Sequence, residues 1–430
     1  MQYAAHRLCR LLCFLTGCLL LPALAHAQQL SVDGIAKSDW PWWRGPARNG
    51  FAAEAQLPTK FGNSENVLWK SPVPGRGHSS PIVVGGKVYL ATADEAKQLH
   101  AVLAYDMANG DRIWAKQISQ GGFPKQNHPK NTEASTTIAS DGKSLFVTFF
   151  HHETVTLTAL DMDGGEKWTQ VVSPFNPKLY KYGYAPSPLI YGESVIVSAE
   201  YDGKSSITAF NRTTGKKLWN ADRPANITFS SPVVANVAGR DQLLISGSGL
   251  VASYNPSNGT PFWSVKGTTS ATCGSMVWDG NIVFASGGYP RPQTIAVLAN
   301  GSNRVLWTNG QKCYEQSMIV VDGYLYGLVD HGVLYCWRGT DGKEMWRTRL
   351  AGPVSASPIY AGGHIYWANE AGTMYVFKPN PQRFELVAEN RIGKEAFASP
   401  AVSGNKLLLR VAEGKGSARK ESLICIGNAN

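Results

Sequence analysis

Two rings of positions, each recurring about every 40 to 56 residues along the 430-residue chain, hold the side chains best suited to chemistry. The first collects His78, Ala134, Ala185, Phe229, Cys273, Glu315, Ser355 and Phe397; the second collects Gly77, Glu133, Tyr184, Thr228, Thr272, Tyr314, Val354 and Ala396. Predicted loops add Asp330-His331 and Asn369-Glu370, together with His151-His152-Glu153 and Glu200-Tyr201-Asp202. Carboxylates and imidazoles gathered on one rim can hold a divalent cation or move protons. The same side chains on an uncommitted rim do no more than keep it hydrated. The candidate ligand-binding residues are therefore His78, Glu133, Tyr184, Cys273, Glu315, Asp330, His331, Asn369 and Glu370. None of them is assigned a catalytic or metal-ligating role. The chain has no G-x-S-x-G, no H-E-x-x-H and no phosphate loop, and no C-x-x-C spacing for zinc.

What brings these positions together is a repeat. Ala104 to Trp114 reads AYDMANGDRIW, and Ala209 to Trp219 (AFNRTTGKKLW), Cys336 to Trp346 (CWRGTDGKEMW), Ser253 to Trp263 and Ala159 to Trp168 repeat its form. A looser copy ends at Trp307. A small residue, an apolar one, Asp or Asn, a Gly-containing turn and then Trp describe a hairpin, because Asx side chains bond their own backbone and Gly supplies positive φ. A second signal precedes each hairpin: Ser80-Pro81, Ser187-Pro188, Ser231-Pro232, Ser357-Pro358 and Ser399-Pro400, with worn versions at Thr136, Ser275 and Ser317. Each opening leads into a β-branched or aromatic run, which makes four strands per unit, the pattern of a propeller blade.

Eight openings meet only seven closings, at Trp114, Trp168, Trp219, Trp263, Trp307, Trp346 and a substitute near Phe384. The missing strand stands at the other end of the chain, as Asn66 to Lys70 around Trp69. The expected fold is thus all-β, an eight-bladed propeller of four-stranded antiparallel blades closed by an N-terminal strand, which leaves no open sheet edge at the seam. A buried Trp hides about 150–250 Å², so Trp219→Ala is expected to cost roughly 3–5 kcal/mol.

The recurring hairpin motif resembles the pyrroloquinoline quinone (PQQ)-like β-propeller repeat family over roughly residues 66–430. That family includes quinoprotein alcohol dehydrogenases and BamB-type outer-membrane assembly lipoproteins. The resemblance implies an exported scaffold that binds a protein or polymer partner in the cell envelope, or else a dehydrogenase with PQQ and Ca²⁺ in its funnel. The second implication asks for adjacent cysteines, a capping loop and a Ca²⁺ set. No two cysteines here are adjacent, no loop suggests a cap, and Glu133 or Glu315 with Asn369 and Asp330 lack the spacing of such a set.

Outside the repeat, residues 1–27 read as a signal peptide, with Arg7 and Arg10, an apolar Leu11 to Leu24 and Ala25-His26-Ala27. Leu15-Thr16-Gly17-Cys18 resembles a lipoprotein box, and membrane attachment would follow only from lipidation at Cys18. The expected address is periplasmic or extracellular, and the expected state a monomer. Loss of Arg7 and Arg10 leaves a net charge of about +8 rather than +10. Only Lys415, Arg419 and Lys420 cluster, so no basic stripe invites nucleic acid. Of the cysteines remaining after residue 27, Cys336 and Cys425 take the hairpin's small-residue position, and Cys273 with Cys313 leave a disulfide open. Residues 28–65 carry Trp40-Pro41-Trp42-Trp43-Arg44 and read as a plug on the ring or, alternatively, a stacking platform for a ligand.

Overall fold

The computed structural model describes residues 34–62, 64–414 and 418–428; the signal segment, Cys18 and Lys415 lie outside them. Eight blades of four antiparallel strands succeed one another around an axis, the seventh with a short fifth strand added in parallel, and no α-helix occurs among the described residues. Blade 1 spans Ile82–Gln120, blade 2 Ala139–Pro174, blade 3 Leu189–Arg223 and blade 4 Val233–Lys266. Blade 5 spans Val277–Asn309, blade 6 Ile319–Arg349 and blade 7 Ile359–Arg391. Blade 8 takes three strands from Ala401–Ile426 and its outermost from Val67–Val73, with Trp69 opposite Cys425. The ring is closed from its beginning, as the count of openings and closings requires.

The register explains the motif. Each Trp of the outer strand faces the small residue of its hairpin: Ala104 with Trp114, Ala209 with Trp219, Ser253 with Trp263, Cys336 with Trp346. A larger partner would displace the indole. Blade 7 inverts the sizes: Val376 lies opposite Ala388, so Ala388 and not Phe384 occupies the Trp register. Phe384 packs instead against the neighbouring Trp346, ring centroids 5.7 Å apart. The expected substitute thus lies four residues ahead of the Trp register, just before the strand Glu385–Arg391.

The turn glycine is dictated by the Trp of the preceding blade. A Cβ at Gly110 would stand 2.5 Å from Trp69, and one at Gly259 2.5 Å from Trp219. Each indole slides under the hairpin of the following blade, and several donate there: Trp69 Nε1 to Met107 O at 3.2 Å and Trp307 Nε1 to Gly339 O at 2.8 Å. Between blades 4 and 5 the link is indirect. Trp263 donates to the buried Gln242 side chain at 2.7 Å, and Gln242 donates onward to Ala299 O at 2.8 Å. Because Trp219 is only half-buried, its loss removes less area than a core Trp's. Trp219→Ala is expected to cost about 2–3 kcal/mol, below the range for a fully buried indole; an unmoved urea midpoint would refute its role as a wedge.

Residues 39–61 run across the face opposite the candidate rim and touch nearly every blade. Trp40 forms a bridge with Val83, Pro41 accepts from Ser140 N, and Arg48 donates to Ile190 O at 2.7 Å while lying over the Trp42 ring. Arg44 donates to Met318 O and Pro358 O, Phe51–Ala52 pairs in parallel with blade 7, and Gln56 N donates to Asn405. Trp40 and Trp42 are buried, so neither offers a face for stacking on a ligand.

Candidate functional site

The Ser of each blade opening belongs to a ring of hydrogen bonds around the axis, with blade 2 supplying Thr137, one residue past the Thr136 that the sequence aligns there. Ser80 N donates to Thr137 Oγ1, Thr137 N to Ser187 Oγ and Ser187 N to Ser231 Oγ. Ser275 N donates to Ser317 Oγ, Ser317 N to Ser357 Oγ, Ser357 N to Ser399 Oγ and Ser399 N back to Ser80 Oγ, all at 2.8–3.2 Å with the others. The link from Ser231 to Ser275 differs. There the Ser275 hydroxyl donates to Ser231 O at 3.0 Å and accepts the Trp43 indole N–H at 2.9 Å. Trp43 thereby forms the floor of an axial funnel with a cavity of about 150 Å³.

Aromatic faces build the funnel wall. His78 stacks on Phe397 at 4.5 Å with rings nearly parallel, Tyr182 stacks on Phe229 at 6.1 Å, and His128 meets Tyr182 edge-on at 4.7 Å. Tyr314 lines the opposite side with Lys312 Nζ 4.4 Å above its ring. Burial pushes the His78 imidazole well below its ordinary pKa, and the guanidinium charges of Arg76, Arg410 and Arg419 act the same way. His78 is a neutral ring and a wall element, which makes it a poor acid.

One polar cluster interrupts this wall. Lys130, from the loop between blades 1 and 2, reaches across to Glu370 of blade 7 at 2.7 Å and to Glu315, ahead of blade 6, at 3.8 Å. The Ser355 hydroxyl contacts both carboxylates. Burial raises the Glu315 pKa, with Glu370 and Asp330 adding to it against the Ser355 bond and the Lys130 charge. On Lys130, burial is outweighed by the bond to Glu370 and the charges of Glu315 and Glu370, so its pKa moves up. Burial also lifts Cys273 well above the ordinary thiol value, with Glu315 and Asp330 reinforcing it, so this cysteine is a protonated lining residue without nucleophilic character. Cys273 and Cys313 are both free thiols.

Of the nine candidates, His78, Cys273 and Glu315 line the funnel and Glu370 joins them through Lys130 and Ser355. The others are employed elsewhere. Tyr184 is buried and donates to Ser198 O. Asn369 holds its own turn, donating to Ala351 O and accepting from Thr373 N. Asp330 accepts from Tyr314 N and pairs with Lys312, and His331 is exposed away from the lining. Glu133 accepts from Asn127 at 2.8 Å. Sequence reading missed Lys130, Tyr182 and His128, because they stand on inter-blade loops outside the aligned positions, whereas Trp43 falls within the stretch read as a plug or a platform. The loop from Gly121 to Ile138 was a usable signal: it is longer than most of its counterparts, and it spans the funnel mouth.

Glu133 carries a pH prediction. Burial raises its pKa from 4.5 to about 7, with the Glu95 charge adding and the Asn127 bond opposing. A raised folded pKa means that stability is fully present below pH 4.5 and is lost as pH climbs through 7. Glu133→Gln is expected to flatten that decline and to gain about 1–2 kcal/mol at pH 8 once partial exposure is allowed for. Parallel pH-stability curves for the two proteins would exclude it.

For PQQ with Ca²⁺ the residues do not fit. Among the described residues no group of three His, Cys, Asp or Glu side chains converges. Glu133, Asn369 and Asp330 face different partners, and Glu315 and Glu370 share Lys130.

Comparison with known proteins follows the same lines. The family model described as "Outer membrane protein assembly factor BamB" matches residues 61–130, 101–330 and 293–420. The chain is 25% identical over 387 residues to the outer membrane protein assembly factor BamB of Burkholderia pseudomallei, covering 84% of this chain and 90% of that protein. In three dimensions it resembles BamB from Moraxella catarrhalis (TM-score 0.59, 13% identity, 85% of this chain and 98% of the other). It also resembles a europium-containing methanol dehydrogenase (TM-score 0.68, 11% identity, 94% of this chain and 100% of the other). At such identities the structural likeness shows the eight-bladed fold alone.

Proposed function

This chain belongs to the BamB family of PQQ-like β-propellers, and from that premise we propose that it is an exported scaffold of the bacterial cell envelope that binds a protein partner. The observation that carries the reading is the extent of the family match, which runs from residue 61 to residue 420 and so takes in seven blades and all but the Lys420–Ile426 strand of the eighth. Residues 1–27 supply the export signal in this reading, and the relatives' part in outer-membrane assembly supplies the kind of partner. The plugged axis supports it as well. A funnel floored by Trp43 on a ring tied together through its openings is a rigid surface, and a rigid surface loses little entropy on binding.

The test is capture of a partner from outer-membrane extract on the immobilised chain without residues 1–27. An outer-membrane protein retained by the native chain is expected. Retention of nothing beyond a control resin would overturn the scaffold. Running the His78→Ala, Glu315→Ala double variant in parallel asks whether the funnel meets the partner, since loss of capture there assigns contact to the funnel and not the blade edges. Desalting after incubation with PQQ and Ca²⁺ should leave a clean spectrum; a retained chromophore that reduces dye would replace the scaffold with a dehydrogenase.

A further inference from the structure

We infer that the funnel is built to receive the guanidinium or ammonium group of a basic side chain carried on an extended polypeptide; the inference rests on the scaffold reading and names what its funnel binds. The chain already shows the chemistry. Lys130 sends its own ammonium into the funnel, but at 2.7 Å from Glu370 and 3.8 Å from Glu315 it satisfies the first carboxylate far better than the second. Apart from the Ser355 hydroxyl, Glu315 has only that distant ammonium as a partner, in a site walled by Tyr314, Tyr182, Phe229 and the His78–Phe397 stack. A half-buried carboxylate short of a cation, among electron-rich ring faces, is the recognition chemistry of an alkylated cation. The Lys312 ammonium over Tyr314 shows that these faces accept one.

A second observation indicates a polypeptide as the carrier. From Phe229 inside the funnel the rings continue outward through Tyr182 and Tyr180 to Tyr289, with centroids 6.1, 5.7 and 5.6 Å apart. Tyr289 is 46% exposed and the adjoining Leu179 61%, which leaves an aromatic and aliphatic lip at the mouth. Alternate side chains of an extended strand stand about 6.6 Å apart. A strand can therefore lay apolar groups along that track while a basic residue turns into the funnel beside Lys130.

Calorimetry on the folded mature chain tests this with three probes: acetyl-Leu-Arg-Tyr-amide, the same peptide with citrulline for arginine, and agmatine. The arginine peptide is expected to bind about tenfold tighter than the citrulline peptide, the size of one charge-assisted contact. Glu315→Gln should erase that preference, and Lys130→Met, which removes the competing ammonium, should strengthen it about fivefold by the same arithmetic. The opposite direction of the two variants separates a lost contact from a damaged fold. Equal binding of the two peptides, no binding at millimolar concentration, or weaker binding by Lys130→Met would overturn the inference. Agmatine matching the arginine peptide would overturn the polypeptide carrier. Capture of an envelope partner undiminished by Glu315→Gln would leave the scaffold standing and sink this site.

Discussion

Arg410→Met is expected to lower stability by about 3–5 kcal/mol, the usual cost of stranding one member of a buried ion pair. Arg410 stands on blade 8, 3% exposed, with Nε 2.7 Å from Glu421. Its other arm crosses the closure to blade 1, donating to Ala91 O at 2.6 Å and lying near Thr92 Oγ1. Glu421 in turn holds Arg419 at 3.0 Å and Gly77 N at 3.4 Å. Methionine fills the volume but leaves Glu421 with part of its compensation and Ala91 O without its donor, at the seam where strand pairing joins the two ends of the chain. The double variant Arg410→Met, Glu421→Met is expected to cost less than the single one, because the burden lies in the unpaired charge more than in the lost attraction. Urea denaturation with an unchanged m-value measures both. A single-variant loss under about 1 kcal/mol would show that strand pairing alone keeps the ring shut.

Arg44→Ala is expected to cost about 3–4 kcal/mol and to loosen the funnel floor. The guanidinium donates to Pro358 O at 2.8 Å, Met318 O at 3.0 Å and Asn49 O at 2.7 Å, so one residue ties the plug to blades 6 and 7. Burial pushes its pKa down to about 9, which marks the opposing effect: the charge is held in a place that disfavours it. Removing the charge recovers part of that penalty. Losing three donors to carbonyls and opening a cavity beneath Trp43 outweigh it, because each unsatisfied buried acceptor costs about 1–3 kcal/mol. Arg44→Lys should recover little, since an ammonium cannot span three acceptors with the geometry of the fork. Hydrogen exchange read at residues 40–50 should rise in Arg44→Ala; protection equal to the native chain's would mean that Trp40 and Trp42 hold the plug unaided.

The repeat, the blade count and the closing strand around Trp69 were all legible in the amino-acid sequence. These rest on local patterns: a turn with Gly, a small residue opposite an indole, a Ser before the inner strand, each written several times over. Repetition averages out local noise, and a ring must be closed by something, so arithmetic on the openings was enough. The substitute at blade 7 escaped because register is a cross-strand property. Ala388 reads as unremarkable until Val376 is seen opposite it.

The funnel's contents were decided by the tertiary structure. Tyr182 and Tyr184 lie two residues apart on one extended stretch, yet the first faces the funnel and the second fills a pocket with Phe150 and Phe175. No periodicity distinguishes them, because the loop's course is set by Asn131 donating to Tyr182 O from the loop between blades 1 and 2. Lys130 is separated from Glu370 by 240 residues and meets it only because blades 1 and 7 face the same axis. Composition and spacing along a chain fix which strands pair; which side chains share a cavity depends on how eight sheets are turned toward one another, and that angle is written in the packing between blades.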